Sequence, residues 1–187
     1  MKTRCQWAKD DLNIDYHDNE WGKPQHDDRK LFEFLILEGA QAGLTWTTIL
    51  KRRDGYRKAF SDFDPDKVSK YTKKHIKNLL NNPEIIRNKL KINSAINNAK
   101  LFIKIQKEYG SFDKFIWSFV NHTTIINNFK HLSDIPASTD ISKKMSDALK
   151  KYGFNFVGPT ICYAFMQAVG MVNDHTSDCF TKKSSKI

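Results

Sequence analysis

From Pro159 to Val169 the chain is apolar on nearly every side of a helix, a pattern that marks a helix buried in the middle of a domain with everything else packed round it. The flanking sequence supports that reading. Leu31, Phe34, Leu35 and Glu38 fall at helical spacing between about Asp28 and Gly39, Phe112, Phe115, Ile116, Phe119 and Val120 repeat the pattern, and Ile92, Ile96, Ala99 and Ile103 form a third stripe. Ser142 to Tyr152 reads as another helix, ending before Gly153. No alternating apolar and polar run predicts a strand, so the fold class is all-α. The breaks at Gly43, Asp64-Pro65, Asn81-Asn82-Pro83, Gly110 and Pro136 are too short to be domain linkers. Residues 1–180 therefore read as one helical domain, and the Lys- and Ser-rich residues 181–187 as a disordered tail.

A chain of 187 residues with 40% hydrophobic content can bury a real core. It is expected to fold alone, as a monomer. The longest apolar stretch, Gly158 to Val172, is interrupted by Thr160, Tyr163 and Gln167 and falls short of the roughly 18 residues that span a bilayer. The start, Met1-Lys2-Thr3-Arg4, has no signal-peptide core. Three widely spaced cysteines, Cys5, Cys162 and Cys179, fit free or metal-bound thiols in a reducing cytoplasm better than a disulfide framework. With 31 Lys and Arg against 21 Asp and Glu, the net charge of +10 favours an anionic partner such as nucleic acid, though a basic surface can serve solubility alone.

Three constellations could carry chemistry. Cys5 with His17, and His175 with Cys179, supply a ligand set suited to tetrahedral zinc, and the second pair has the i, i+4 spacing that aims two side chains at one ion. The competing reading makes these ordinary polar histidines and small apolar cysteines. The stretch from Lys150 to Thr160 places Gly153 and Gly158 either side of Phe156 between two predicted helices. It describes either a hairpin whose backbone N–H groups bind phosphate or a plain helix connection closed by a glycine cap. Glu38 occupies an apolar stripe, where an unpaired carboxylate is costly. With Tyr16, Trp21 and Trp46, and Trp7 further off, it suits a pocket that stacks a flat base and accepts from its amine; equally, the aromatics could be core and Glu38 salt-bridged.

The segments Tyr16-His17-Asp18-Asn19-Glu20-Trp21-Gly22, Leu37-Glu38-Gly39 with Gln41-Ala42-Gly43-Leu44, Trp117 to His122, and Gly153 to Gly158 through Asn173-Asp174-His175 resemble the 3-methyladenine DNA glycosylase I family over essentially the whole chain to Cys179. The resemblance implies a bacterial, cytoplasmic enzyme that works on nucleoid DNA. Its fold would be that of the helix-hairpin-helix glycosylases, with the hairpin unit at about 142–170 and one structural Zn2+ joining the termini through Cys5, His17, His175 and Cys179. It also implies that Glu38 reads the methylated base as the catalytic residue, with Tyr16, Trp21 and Trp46 lining the same pocket. Gln41, Gly43 and Leu44 would enter the duplex, and Gly153, Phe156 and Gly158 would contact DNA. Two positions depart from the family: Thr45 stands in place of a serine, and Asn13 where some relatives carry an aromatic.

The implied reaction extrudes an alkylated adenine from double-stranded DNA and releases free 3-methyladenine. Asp174 is a second-rank candidate to stabilise the sugar cation, or to orient His175. Two other classes compete: a non-enzymatic helix-hairpin-helix DNA-binding module, and a purely structural zinc protein.

Overall fold

The computed structural model describes residues 2–184. Ten α-helices are defined among them: α1 Asp11–Asn19, α2 Asp28–Gln41, α3 Trp46–Ala59, α4 Pro65–Val68, α5 Lys73–Asn81, α6 Lys89–Tyr109, α7 Phe112–Trp117, α8 Asp140–Tyr152, α9 Pro159–Ala168 and α10 Phe180–Ser184. Side-chain caps fix most starts. Asp10, Asp27, Thr45, Asp64, Asn88, Ser111 and Thr139 each accept a backbone N–H of the first turn, satisfying donors that helix geometry leaves unpaired. At Thr45 the hydroxyl receives Thr48 N at 3.3 Å, so threonine here serves the capping function.

The helix at the centre is α2 rather than α9. Every residue from Leu31 to Ala40 is buried, because α3, α6, α7 and α9 pack around it. The periodic stripe identified one face of a helix that, from Leu31 to Ala40, has no solvent face. Conversely, α9 buries Cys162, Phe165 and Met166 but turns Thr160, Ala164 and Gln167 toward a cleft; its apolar composition reflects a wall of a pocket as much as a core. On α6 the buried seam runs through Ile92, Ile96, Ala99, Phe102 and Ile105, leaving Ile103 half-buried.

Burial of α2 includes two carboxylates. Glu33 receives Arg53 Nε at 2.7 Å and Arg57 Nε at 2.9 Å, while Arg53 also holds Glu20 at 2.7 and 2.6 Å. Burial alone would raise the Glu33 pKa, but the Arg53 and Arg57 charges and the Arg53 hydrogen bond outweigh it and lower it. Glu38, five residues on, has no such partner among the described residues.

The chain ends meet. Ile125–Ile126 (β1) and Val172–Asn173 (β2) form a two-residue parallel ladder, which no alternation predicted because two residues carry no period. Phe180 N donates to Thr3 O at 2.9 Å. The expected disordered tail is corrected for residues 181–184, which continue α10: Lys182 is buried and donates to the carbonyls of Asn127 and His175. Positions 185–187 lie outside the described residues. No described helix is long and apolar enough to cross a membrane.

Candidate functional site

A cleft of ≈ 470 Å³ opens between α1, α2, the start of α3, the 132–137 loop and α9. Tyr16, Trp21, Glu38 and Trp46, all expected from the sequence, line it together, joined by Trp7, Asn13, Gln41, Tyr163 and Gln167. The aromatic wall is continuous: Tyr16 lies 5.3 Å from Trp46, and Trp7 lies 5.0 Å from Trp21 between ring centroids. Trp46 keeps its indole N–H buried without a partner among the described residues. No described Lys or Arg lines the cleft, although the chain carries a net charge of +10.

Glu38 is 4% exposed. Burial alone pushes its carboxyl up to about 8 from an ordinary value of 4.5, since a low-dielectric site disfavours the charged form. Tyr16 is raised as well, first by burial and then by the neighbouring Glu38 charge. Glu38 therefore has no salt-bridge partner among the described residues, and the cleft presents it as its one acidic group. A flat cation that can donate hydrogen bonds fits this chemistry.

Asn13 is 6% exposed and donates to Asp10 at 2.6 Å and to Thr47 Oγ1 at 2.7 Å. It pins the cleft floor to α3. Asp174 sits behind the wall, fully buried, accepting Tyr163 Oη at 2.5 Å, Gln167 Nε2 at 2.8 Å and Asn127 Nδ2 at 2.7 Å. It therefore holds two cleft residues in place and is not itself a cleft residue. Nor does it orient His175, whose Nδ1 pairs instead with Asn173 Oδ1 at 3.0 Å. Sequence reasoning missed Tyr163, Gln167 and the 132–137 loop. Only the i, i+4 spacing of Tyr163 and Gln167 on a helix that looked wholly internal hinted at a shared face.

Gln41 lines the cleft, and Gly43 and Leu44 lie in the turn that follows α2, around a second cavity of ≈ 230 Å³ shared with Glu38, Thr160 and Ile161. Gly43 takes φ +76, a left-handed value that glycine adopts without strain, and Leu44 remains 40% exposed. No residue of the 153–158 connection between α8 and α9 lines the cleft. Its carbonyl at Val157 accepts Ser146 Oγ at 2.6 Å and Cys162 Sγ at 3.3 Å, which is how the third cysteine is used.

Cys5, His17 and Cys179 converge with their ligand atoms within 4.8 Å of one another, all buried. A proton shared between the thiols pulls Cys179 well below the usual range, through the hydrogen bond from Cys5 first and then His17. His175 stands beside them, its ring centroid 4.9 Å from that of His17 and its Nε2 buried without a partner among the described residues. Both imidazoles have Nδ1 engaged, His17 with Asp18 Oδ1 at 2.8 Å and His175 with Asn173. When Nδ1 donates, Nε2 carries the lone pair. Two thiols and the His17 nitrogen are thus three converging donors of types that zinc takes, and the expected fourth, His175, lies next to that group without joining it.

Comparison with known proteins agrees with this geometry. Residues 6–182 match the family described as methyladenine glycosylase. The DNA-3-methyladenine glycosylase of Haemophilus influenzae is 49% identical over 185 residues, 98% of this chain and 100% of that protein. DNA-3-methyladenine glycosylase 1 of Escherichia coli is 49% identical over 177 residues, 94% and 95% of the two chains. A solved 3-methyladenine DNA glycosylase I variant in complex with 3-methyladenine superposes with a TM-score of 0.93 at 39% identity, covering 96% of this chain and 97% of the other. The chain belongs to the methyladenine glycosylase family.

Proposed function

We propose that this protein is a DNA glycosylase that excises 3-methyladenine from alkylated double-stranded DNA, leaving an abasic site. The observation that carries the reading is Glu38: a buried carboxyl among Tyr16, Trp21 and Trp46, in a cleft that no described Lys or Arg lines. Methylation at N3 makes the adenine nucleoside cationic, so the base leaves as a neutral molecule and needs little acid catalysis. Water adds to the anomeric carbon as the N-glycosidic bond breaks, the bonding pair goes to the base, and the water proton is released. The protein's task is to extrude the nucleotide and hold the cationic base. Burial holds the free Glu38 carboxyl largely protonated near neutral pH; a cationic base beside it favours the ionised form, which accepts from the exocyclic amine, while Tyr16, Trp21 and Trp46 stack on the ring faces.

Residues 1–180 act as one glycosylase domain, with 142–170 as its helix-hairpin-helix unit. The turn carrying Gln41, Gly43 and Leu44 enters the duplex, which accounts for an exposed leucine on a glycine turn beside the cleft. Gly153, Phe156 and Gly158 grip the phosphate backbone, helped by the net positive charge. Cys5, His17, His175 and Cys179 hold one Zn2+, which supplies a cross-link between the chain ends and no chemistry at the cleft. The other two classes lack support: a DNA-binding module has no use for the Glu38 cleft, and a structural zinc protein none for the 153–158 hairpin. Incubation with methylated duplex DNA tests the reading directly. Release of free 3-methyladenine supports it; intact glycosidic bonds in DNA that the protein demonstrably binds would overturn it in favour of the module.

A further inference from the structure

The N-terminal half of α6 touches both segments assigned to DNA. Lys91 Nζ donates to Ala40 O at 2.8 Å and to Ala42 O at 2.7 Å. These carbonyls belong to the C-terminus of α2, whose last turn contains no basic residue of its own. An ammonium there satisfies orphaned acceptors and the negative end of the helix dipole. Seven residues on, Asn98 makes a paired contact with Asn155: its Nδ2 donates to Asn155 O at 2.9 Å, and Asn155 N donates to its Oδ1 at 2.9 Å. Asn97 Nδ2 adds a bond to Gly153 O at 3.0 Å. Asn98 is 2% exposed, so its amide is wholly spent on the connection between α8 and α9.

Seven residues are two helical turns, which put Lys91 and Asn98 on one face about 10 Å apart along the axis. A third contact closes the figure, since a Cβ on Gly39 would lie 3.2 Å from Phe156 Cβ. The α2 end and the hairpin tip thus touch directly, and Phe156 holds φ +54 there, a conformation a non-glycine residue keeps only when its surroundings impose it.

We infer that α6 is a ruler: Lys91 and Asn98 are positioning residues that set the 41–44 turn at a fixed offset from the 153–158 hairpin, so that insertion into the duplex and grip on its backbone occur in register. Neither residue lines the cleft, and both act through the segments they hold. The inference rests on the reading that those segments contact DNA. Near-attack positioning is sensitive to displacements of about 1 Å, so loosening one segment slows excision without emptying the base pocket.

The test uses the full chain with methylated duplex and with free 3-methyladenine. Lys91→Met removes the clamp, Lys91→Arg keeps donors for two carbonyls, and Lys89→Met removes an exposed charge one residue pair away on the same helix. Single-turnover excision is expected to fall roughly tenfold in Lys91→Met, to be largely restored in Lys91→Arg, and to change less than about twofold in Lys89→Met. Affinity for the free base should stay within about twofold in all three. Leu44→Ala is the reference: it should slow excision by itself, and adding Lys91→Met to it should cost little more, because both act through one turn. Should Leu44→Ala leave excision unchanged, the DNA-contact reading fails. Should Leu44→Ala slow excision while Lys91→Met does not, or should Lys91→Met weaken free-base binding in parallel, the ruler fails.

Discussion

Trp21 and His175 stand ring against ring, centroids 4.6 Å apart at 71°, so the aromatic wall of the cleft leans directly on the Cys/His cluster that ties the chain ends. Gly22 makes the approach possible. A Cβ there would lie 2.8 Å from the His175 ring, and its φ of +74 is one that side chains rarely adopt. Trp7 also lies 5.2 Å from His17 between centroids, so disturbing the cluster is expected to reach the base pocket through both tryptophans.

Metal analysis of protein purified without added zinc should show close to one equivalent. Cys179→Ser should lower the melting temperature by roughly 5 °C or more, since a site closing nearly the whole chain contributes folding free energy and about 2–4 °C follows each kcal/mol in a chain of this size. Free 3-methyladenine should bind this variant more weakly because Trp21 loses its support. A metal-free protein of unchanged stability would remove the claim.

Glu38→Gln should trade stability against activity in a pH-dependent way. Burial raises the Glu38 carboxyl from 4.5 to about 8, so the parent fold loses stability as pH rises from about 4.5 through about 8, and the variant, which cannot ionise, does not. The stability gained on substitution should thus be small near pH 4.5 and grow to a few kcal/mol, about 3 at most near pH 7 at 1.36 kcal/mol per unit. Melting curves at pH 5, 6, 7 and 8 read this directly. Excision of 3-methyladenine should fall by about 1.5 to 3 kcal/mol, roughly 10- to 150-fold, as a charge-assisted acceptor becomes a neutral amide. Discrimination against methylated guanines should fall with it, because the carboxylate repels the guanine carbonyl oxygen. A melting difference that is flat across this range would mean that Glu38 is paired in the folded protein.

For Asp174, the geometry separates two roles. If the carboxylate only holds Tyr163 and Gln167, Asp174→Asn should weaken free-base affinity and single-turnover excision together, by about 1–3 kcal/mol for a buried network left with mismatched donors. Were it the group that stabilises the sugar cation, excision would collapse while base affinity stayed at the parental value. Measuring both quantities on one variant decides between them.

Gly158 offers a test of the hairpin that the fold does not confound. It has ordinary backbone angles of φ -63 and ψ 161, and nothing lies within 4 Å of a Cβ added there, so Gly158→Ala should melt like the parent. A backbone that approaches phosphate closely has no room for that methyl, and duplex affinity should drop severalfold. Parental binding should weaken steeply with salt in proportion to the phosphates neutralised. Unchanged affinity in the variant, or a flat salt response in the parent, would count against the hairpin.

The local sequence marked several of the helices, because apolar spacing acts within a few residues: Leu31, Phe34 and Leu35 mark α2, and Gly153 ends α8, whose start the Thr139 cap sets at Asp140 instead of the expected Ser142. It also determined the chemistry available, since a glutamate on an apolar stripe and a Cys/His set at both ends are unusual enough to notice. What periodicity could not supply was the order of burial. An apolar helix looks the same whether it is the centre of a core or the wall of a cleft, so α9 was mistaken for the middle that α2 occupies. Tertiary structure alone decided that Glu33 is neutralised by Arg53 and Arg57 while Glu38 is not. Both carboxylates are buried on the same helix, and the difference lies in which residues distant in sequence are brought within about 3 Å, where a buried charge is either matched or left to bind something else.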